Sequence, residues 1–196
     1  EEQAILSYSD EPILRFNRTE TDEQECNTRF YGIELEIEVD EDYYDREGIA
    51  IEAKEVTSDI YIKHDGSLDY GFEIVSHPGT YRYHMDSGRW DTLLDFLRDY
   101  GCTSHDAGTC GLHIHVSRKA FGANRDDQDE NITKVIYLIE RHWEYVKRFS
   151  RRTSEQLYEW ARSYLHTEDY DDLLDRDCLC PKSLKRFITK KRYVAV

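Results

Sequence analysis

The sequence predicts an α+β fold in which a mainly antiparallel sheet is backed by helices. Three stretches carry that expectation. "RFYGIELEIEVDED" at 29–42 alternates apolar with acidic residues, and "SDIYIKHDGSLDYGFEIVSHP" at 58–78 reads as strand, turn and strand. "CGLHIHVSR" at 110–118 alternates again, and segments of helical period separate and follow these strands.

Taken in order, residues 1–28 are polar, acidic and irregular in period, which predicts a loosely packed arm ahead of a domain over 29–196. In the first strand Ile33, Leu35, Ile37 and Val39 point one way and Glu34, Glu36 and Glu38 the other. "YDREGIAIEAKEV" at 44–56 is a short helix. The next two strands are joined by Asp65-Gly66-Ser67, residues with turn chemistry, and Pro78 closes the second of them. Trp90, Leu93, Leu94 and Leu97 at helical spacing predict one amphipathic helix over 81–101, ended by Gly101. The strand at 111–117 sets His113 and His115 on one face and Leu112, Ile114 and Val116 on the other. A helix over 129–150, capped by Asp129 or Asn131, carries Ile132, Val135, Ile136, Ile139, Trp143 and Val146 in one stripe. "SEQLYEWARSYL" at 154–165 is a further helix, 166–182 is an acidic loop, and "KSLKRFITKKRYVAV" at 182–196 has the β-branched composition of a strand.

The chain has 196 residues, enough for one domain, or one plus a small helical extension, with a sizeable core. A formal charge of −15 repels phosphates and argues against nucleic acid as the main partner. It suits a solvated intracellular protein, or one that collects cations. No run of about 18 apolar residues is present, so no membrane span is expected, and the acidic start "EEQAILSYSDEP" does not read as a signal peptide. Five cysteines, an odd number without a C-x-x-C pair, argue against a disulfide framework and for a reducing, cytoplasmic setting.

The chemistry-bearing residues fall on three strands. Glu34, Glu36 and Glu38 share a face, where like charges repel unless water or cations intervene. Asp65 and Glu73 flank a glycine-containing turn, and His113 and His115 are two apart. Each feature alone also fits a solvated strand face, a polar hairpin or a structural histidine. Packed in one sheet, they make a surface rich in oxygen donors with a few nitrogens, which hard cations such as Mg²⁺ or Mn²⁺ favour.

In this order and spacing "GIELEIE", "HDGSLDYGFEIVSHP" and "CGLHIHVS" resemble the amidoligase family of glutamine synthetase-like carboxylate–amine ligases. That family shares G-x-E-x-E, D-G-S…G-x-E-[IV]-x-[ST]-x-P and G-x-H-x-H. "FSRR" at 149–152, ahead of "YEWAR", resembles its arginine-containing stretch. The resemblance covers roughly residues 29–196.

It implies a glutamine synthetase-like sheet and an ATP-dependent ligase that joins the carboxylate of one small molecule or peptide to the amine of another through an acyl phosphate. ATP and Mg²⁺ or Mn²⁺ are the implied cofactors. Glu34, Glu36, Glu73 and His113 would hold metal, with Asp65 a further ligand or substrate contact. His115 would lie by the nucleotide, and Arg151 and Arg152 would meet a phosphate or a substrate carboxylate, as a bidentate guanidinium can. As helix-end cations the two arginines have an equally simple explanation. Members of the family continue past "KRY" with an Asn and an E-x-R strand, whereas this sequence ends at Val196, so the expected domain is incomplete at its C-terminus. A metal-dependent hydrolase and a non-catalytic binding protein on a degraded ligase fold are the competing readings.

Overall fold

A computed structural model describes residues 3–19, 29–85, 88–160 and 163. The chain divides into two units, Glu1–Ala120 and Phe121–Val196. Among the described residues the first contains a four-stranded sheet and three α-helices in the order β1 (Tyr31–Glu38), α1 (Arg46–Val56), β2 (Ile60–Lys63), β3 (Gly71–Ser76), α2 (Tyr81–Met85), α3 (Arg89–Asp99) and β4 (Leu112–Val116). The sheet order is β2-β3-β1-β4, and every pairing is antiparallel. The α+β expectation and all four strand positions therefore hold.

Alternation along the strands decides what the sheet buries. Ile37, Ile60, Ile62, Phe72 and Ile74 face one way and pack against Ile49, Ala50 and Ala53 of α1 and Leu93 and Leu97 of α3. Phe72, Ile74, Ala50, Ala53 and Leu93 are fully buried. The helix α1 starts at Asp45, whose side chain accepts from the backbone N–H groups of Glu47 and Gly48. Its apolar residues then meet the sheet on one face, which is where most of its stability arises.

The strand β3 is buried along its whole length, and Gly71 lets it begin there. A methyl group at Gly71 would stand 1.9 Å from the Ile37 carbonyl oxygen, so only glycine allows β1 and β3 to approach this closely. Among the described residues β4 stands at the end of the sheet, and Leu112, Ile114 and Val116 on its apolar side are exposed.

The N-terminal arm packs more closely than its polar sequence suggests. Ile5 joins the core, and Leu6 forms a parallel bridge with Lys63 beside β2. Backbone bonds of 2.8 Å run from Leu6 N–H to the Ile62 carbonyl and from His64 N–H to the Leu6 carbonyl. Residues 20–28 lie outside the described part.

Two helices differ from expectation. The stretch 81–101 is not one helix: α2 ends at Met85, and α3 begins after Gly88, which has φ of +60°. That left-handed conformation is accessible to glycine and breaks the helical path. In the second unit, 129–150 is also divided. The helix α4 (Arg125–Arg141) starts earlier than expected, with the Asn124 side chain accepting from Asp127 N–H, so neither Asp129 nor Asn131 is its cap. At His142, with ψ of 27°, it gives way to α5 (Trp143–Ser150). A further helix, α6 (Ser154–Trp160), opens on a reciprocal cap in which Thr153 Oγ1 accepts from Gln156 N–H and Gln156 Oε1 from Thr153 N–H. The expected loop at 166–182 and strand at 182–196 lie outside the described residues. Among those described, no helix is long and apolar enough to cross a membrane, and Cys102 and Cys110 are free thiols.

Candidate functional site: a carboxylate and histidine cluster on one sheet face

Strand register assembles the site. Glu36 of β1 is paired with Glu73 of β3, and Glu73 with Lys63 of β2, so these three form one row across the sheet. A second row runs from His113 of β4 through Glu34 of β1 and Val75 of β3 to Tyr61 of β2. Directly paired residues share a face. All of these side chains therefore stand on the side opposite the hydrophobic core, as the alternation predicts.

Two groups of ligating atoms converge there. Glu34, Glu73 and His113 each offer one such atom, all within 4.8 Å of one another, and so do Glu36, Asp65 and Glu73. Glu73 belongs to both. The oxygen Glu34 Oε2 lies 3.1 Å from His113 Nδ1 and 3.0 Å from His115 Nε2, accepting from both rings. Glu36 Oε2 accepts from the Gly111 N–H at the start of β4. Asp65 Oδ1 accepts from the Ser67 N–H and hydroxyl, both at 2.7 Å, which fixes the turn ahead of β3.

Burial and charge act oppositely on the two central carboxylates. The hydrogen bonds from His113 and His115 hold Glu34 well below the usual carboxylate range. Glu73 is pushed up to about 7, first by burial and then by the charges of Glu34, Asp65 and Glu36. Glu36 and Glu73 are both more than nine-tenths buried and stand directly opposite each other, an unfavourable arrangement for two anions. A divalent cation between them would remove the repulsion. The donor set, carboxylate oxygens with one imidazole, suits a hard cation better than a thiolate-preferring one. His115 is raised above the ordinary histidine value, chiefly by its hydrogen bond to Glu34.

Glu38 has a different role from its neighbours. Its Oε1 accepts from Asp69 N–H at 2.9 Å and from the Thr109 hydroxyl at 2.7 Å, and its Oε2 from Tyr70 N–H at 2.9 Å. It thus ties the approach to β3 to the approach to β4. Cys110 lies beside these loops, and burial pushes its thiol up to about 11, away from the thiolate that binds zinc.

Arg151 and Arg152 belong to the second unit. Arg151 ends α5 in the left-handed conformation, with φ of 57° and its N–H bonded to the Lys147 carbonyl. The Arg152 N–H lies 3.4 Å from Ser150 Oγ.

Tyr61 and Lys63 are the residues that motif reading passed over. Their signal was the alternation in "IYIK", which puts them on the same face as Glu73. Burial, together with the Glu34 and Glu73 charges, raises the Tyr61 phenol above its ordinary value.

The family model described as "Putative amidoligase enzyme" matches residues 7–192. Comparison with curated proteins and with solved structures returned no match. A match over nearly the whole chain, with its three strand motifs meeting on one sheet face, shows that the chain belongs to the amidoligase family.

Proposed function

We propose that the protein is an ATP-dependent carboxylate–amine ligase whose cluster holds two divalent cations. The observation that carries this reading is the pair of overlapping ligand groups that share Glu73. Glu34, Glu73 and His113 would hold one cation, and Glu36, Glu73 and Asp65 the other. Mg²⁺ or Mn²⁺ bound there would supply positive charge for the triphosphate and for the phosphoryl group as it transfers.

A carboxylate is a poor acyl donor because it would have to expel an oxide. In the proposed sequence a carboxylate oxygen of the acid attacks the γ-phosphorus of ATP and ADP leaves. The amine nitrogen then attacks the carbonyl carbon, the C–O bond to phosphate breaks, and nitrogen loses a proton as the amide forms. The chain's own residues supply position and charge. Glu34 holds both imidazoles in place through its two hydrogen bonds. Gly111 N–H fixes Glu36, and the Ser67 contacts fix Asp65. His115, beside the nucleotide, completes the proposed assignment on this sheet.

The test is thermal unfolding with ATP, Mg²⁺ and both together. The pair should raise Tm more than the two separate shifts added, because each ligand completes the other's coordination. Glu36→Ala should lose that synergy. A variant that keeps it would move the site elsewhere, and strong stabilisation by Zn²⁺ alone would favour a hydrolase. Tight ATP–Mg²⁺ binding, with no ADP formed from any of a panel of acids and amines, would favour a binding protein.

A further inference from the structure

We propose that Lys63 is the anion anchor of this site, its ammonium taking a phosphoryl or carboxylate oxygen held against the cation at Glu36, Glu73 and Asp65. The inference rests on the cation reading above and adds a residue that no motif includes.

Lys63 is the cross-strand partner of Glu73, at the end of the row that runs from Glu36. Opposite charges in such a pair ordinarily close on each other. Here they do not: among the described residues no salt bridge engages Lys63, and its Nζ lies over the Tyr8 ring, 5.3 Å from the centroid. Tyr8 belongs to the N-terminal arm, which is fastened to β2 on both sides of Lys63 by the two backbone bonds of Leu6. The aromatic ring gives the ammonium a resting place away from the carboxylates, at a modest cost to leave.

The buried Glu73 and the anions beside it are directed toward a cation, and hard cations complete their coordination with further oxygens. A phosphate or carboxylate bound on that cation brings negative charge to the row containing Lys63. A lysine serves such a group as a mobile point charge. Two sources share this chemistry, the nucleotide's phosphates and the acid substrate's carboxylate.

The experiment measures Mn²⁺ affinity of the full chain from the free-ion electron paramagnetic resonance signal. Mn²⁺ is titrated alone and then with ATP, inorganic phosphate or acetate. In the parent at least one anion should tighten Mn²⁺ binding. Lys63→Met should bind Mn²⁺ alone at least as well, since a like charge has gone, yet lose about tenfold of the tightening. Lys63→Gln should behave the same way and Lys63→Arg should keep most of the effect, with thermal unfolding showing that each is folded. Tightening by ATP and phosphate would identify phosphoryl oxygens as the ligand, and tightening by acetate a carboxylate. Full tightening in both Lys63→Met and Lys63→Gln overturns the anchor and leaves the nucleotide reading standing. Tightening by phosphate or acetate that depends on Lys63, with none by ATP, supports the anchor and removes the nucleotide. No tightening by any anion overturns both.

Discussion

Replacing Glu73 by glutamine should have opposite effects on stability and on cation binding. In the metal-free protein Glu73 has its pKa raised from 4.5 to about 7, with burial the largest cause. Below pH 4.5 the group is protonated whether the chain is folded or not, and it contributes no penalty. Between pH 4.5 and 7 the unfolded chain has lost this proton while the folded one retains it. Stability therefore falls as pH rises through that window, and levels off above the folded pKa. At about 1.36 kcal/mol per tenfold change in proton affinity the full rise corresponds to roughly 3 kcal/mol, and solvent screening around the cluster brings the expected penalty to about 1–3 kcal/mol. Glu73→Gln, neutral at every pH, should remove that fall and raise stability at pH 8 by the same amount. Because Glu73 belongs to both ligand groups, the variant should also lose the stabilisation that Mg²⁺ or Mn²⁺ gives the parent. The assay is urea unfolding in chelator between pH 4 and 8, repeated with saturating Mn²⁺ at pH 7.5. A variant with the parent's pH dependence in chelator would refute the electrostatic argument. One that gains full stabilisation from Mn²⁺ would remove Glu73 from the ligand set.

Two further outcomes test the neighbouring geometry. In metal-free protein followed by NMR, His115 should keep its proton to higher pH than an ordinary histidine, and Glu34→Gln should bring its titration back toward 6.5, because the bond to Glu34 is the main cause of the rise; an unchanged titration would count against that contact. Gly71→Ala should lower stability by about 2 kcal/mol or more in urea unfolding, since the added methyl cannot fit against the Ile37 carbonyl without moving β1 from β3; a variant as stable as the parent would show that this approach is not tight.

The strands and the face of the site were readable in the sequence because a strand's side chains alternate with a period of two. "IELEIE" placed Glu34 and Glu36 away from the core, and "LHIH" placed both histidines, before any partner strand was known. Helix continuity was less readable. The apolar stripe of 129–150 runs straight across His142, and the helix expected over 81–101 runs through Gly88, whereas the backbone turns at both. Glycine at 88 was a visible reason for the first break. The second has neither proline nor glycine at the joint, so local sequence gives no such signal.

What the tertiary structure decided was register, and register separates residues that alternation treats as equals. Glu34, Glu36 and Glu38 occupy equivalent positions on β1, yet Glu38 is bound by Asp69, Tyr70 and Thr109, and the other two converge with Glu73. The order β2-β3-β1-β4 made the hairpin's Glu73 the bridge between two ligand groups and brought Lys63 into their row. Leu112, Ile114 and Val116 of β4 are exposed, although its sequence alternates as cleanly as that of β1. Local alternation fixes which face a side chain occupies, but which strands lie side by side depends on pairings between distant parts of the chain. Those pairings are set by how the apolar faces pack together and by which loops can close, and no single segment contains that information.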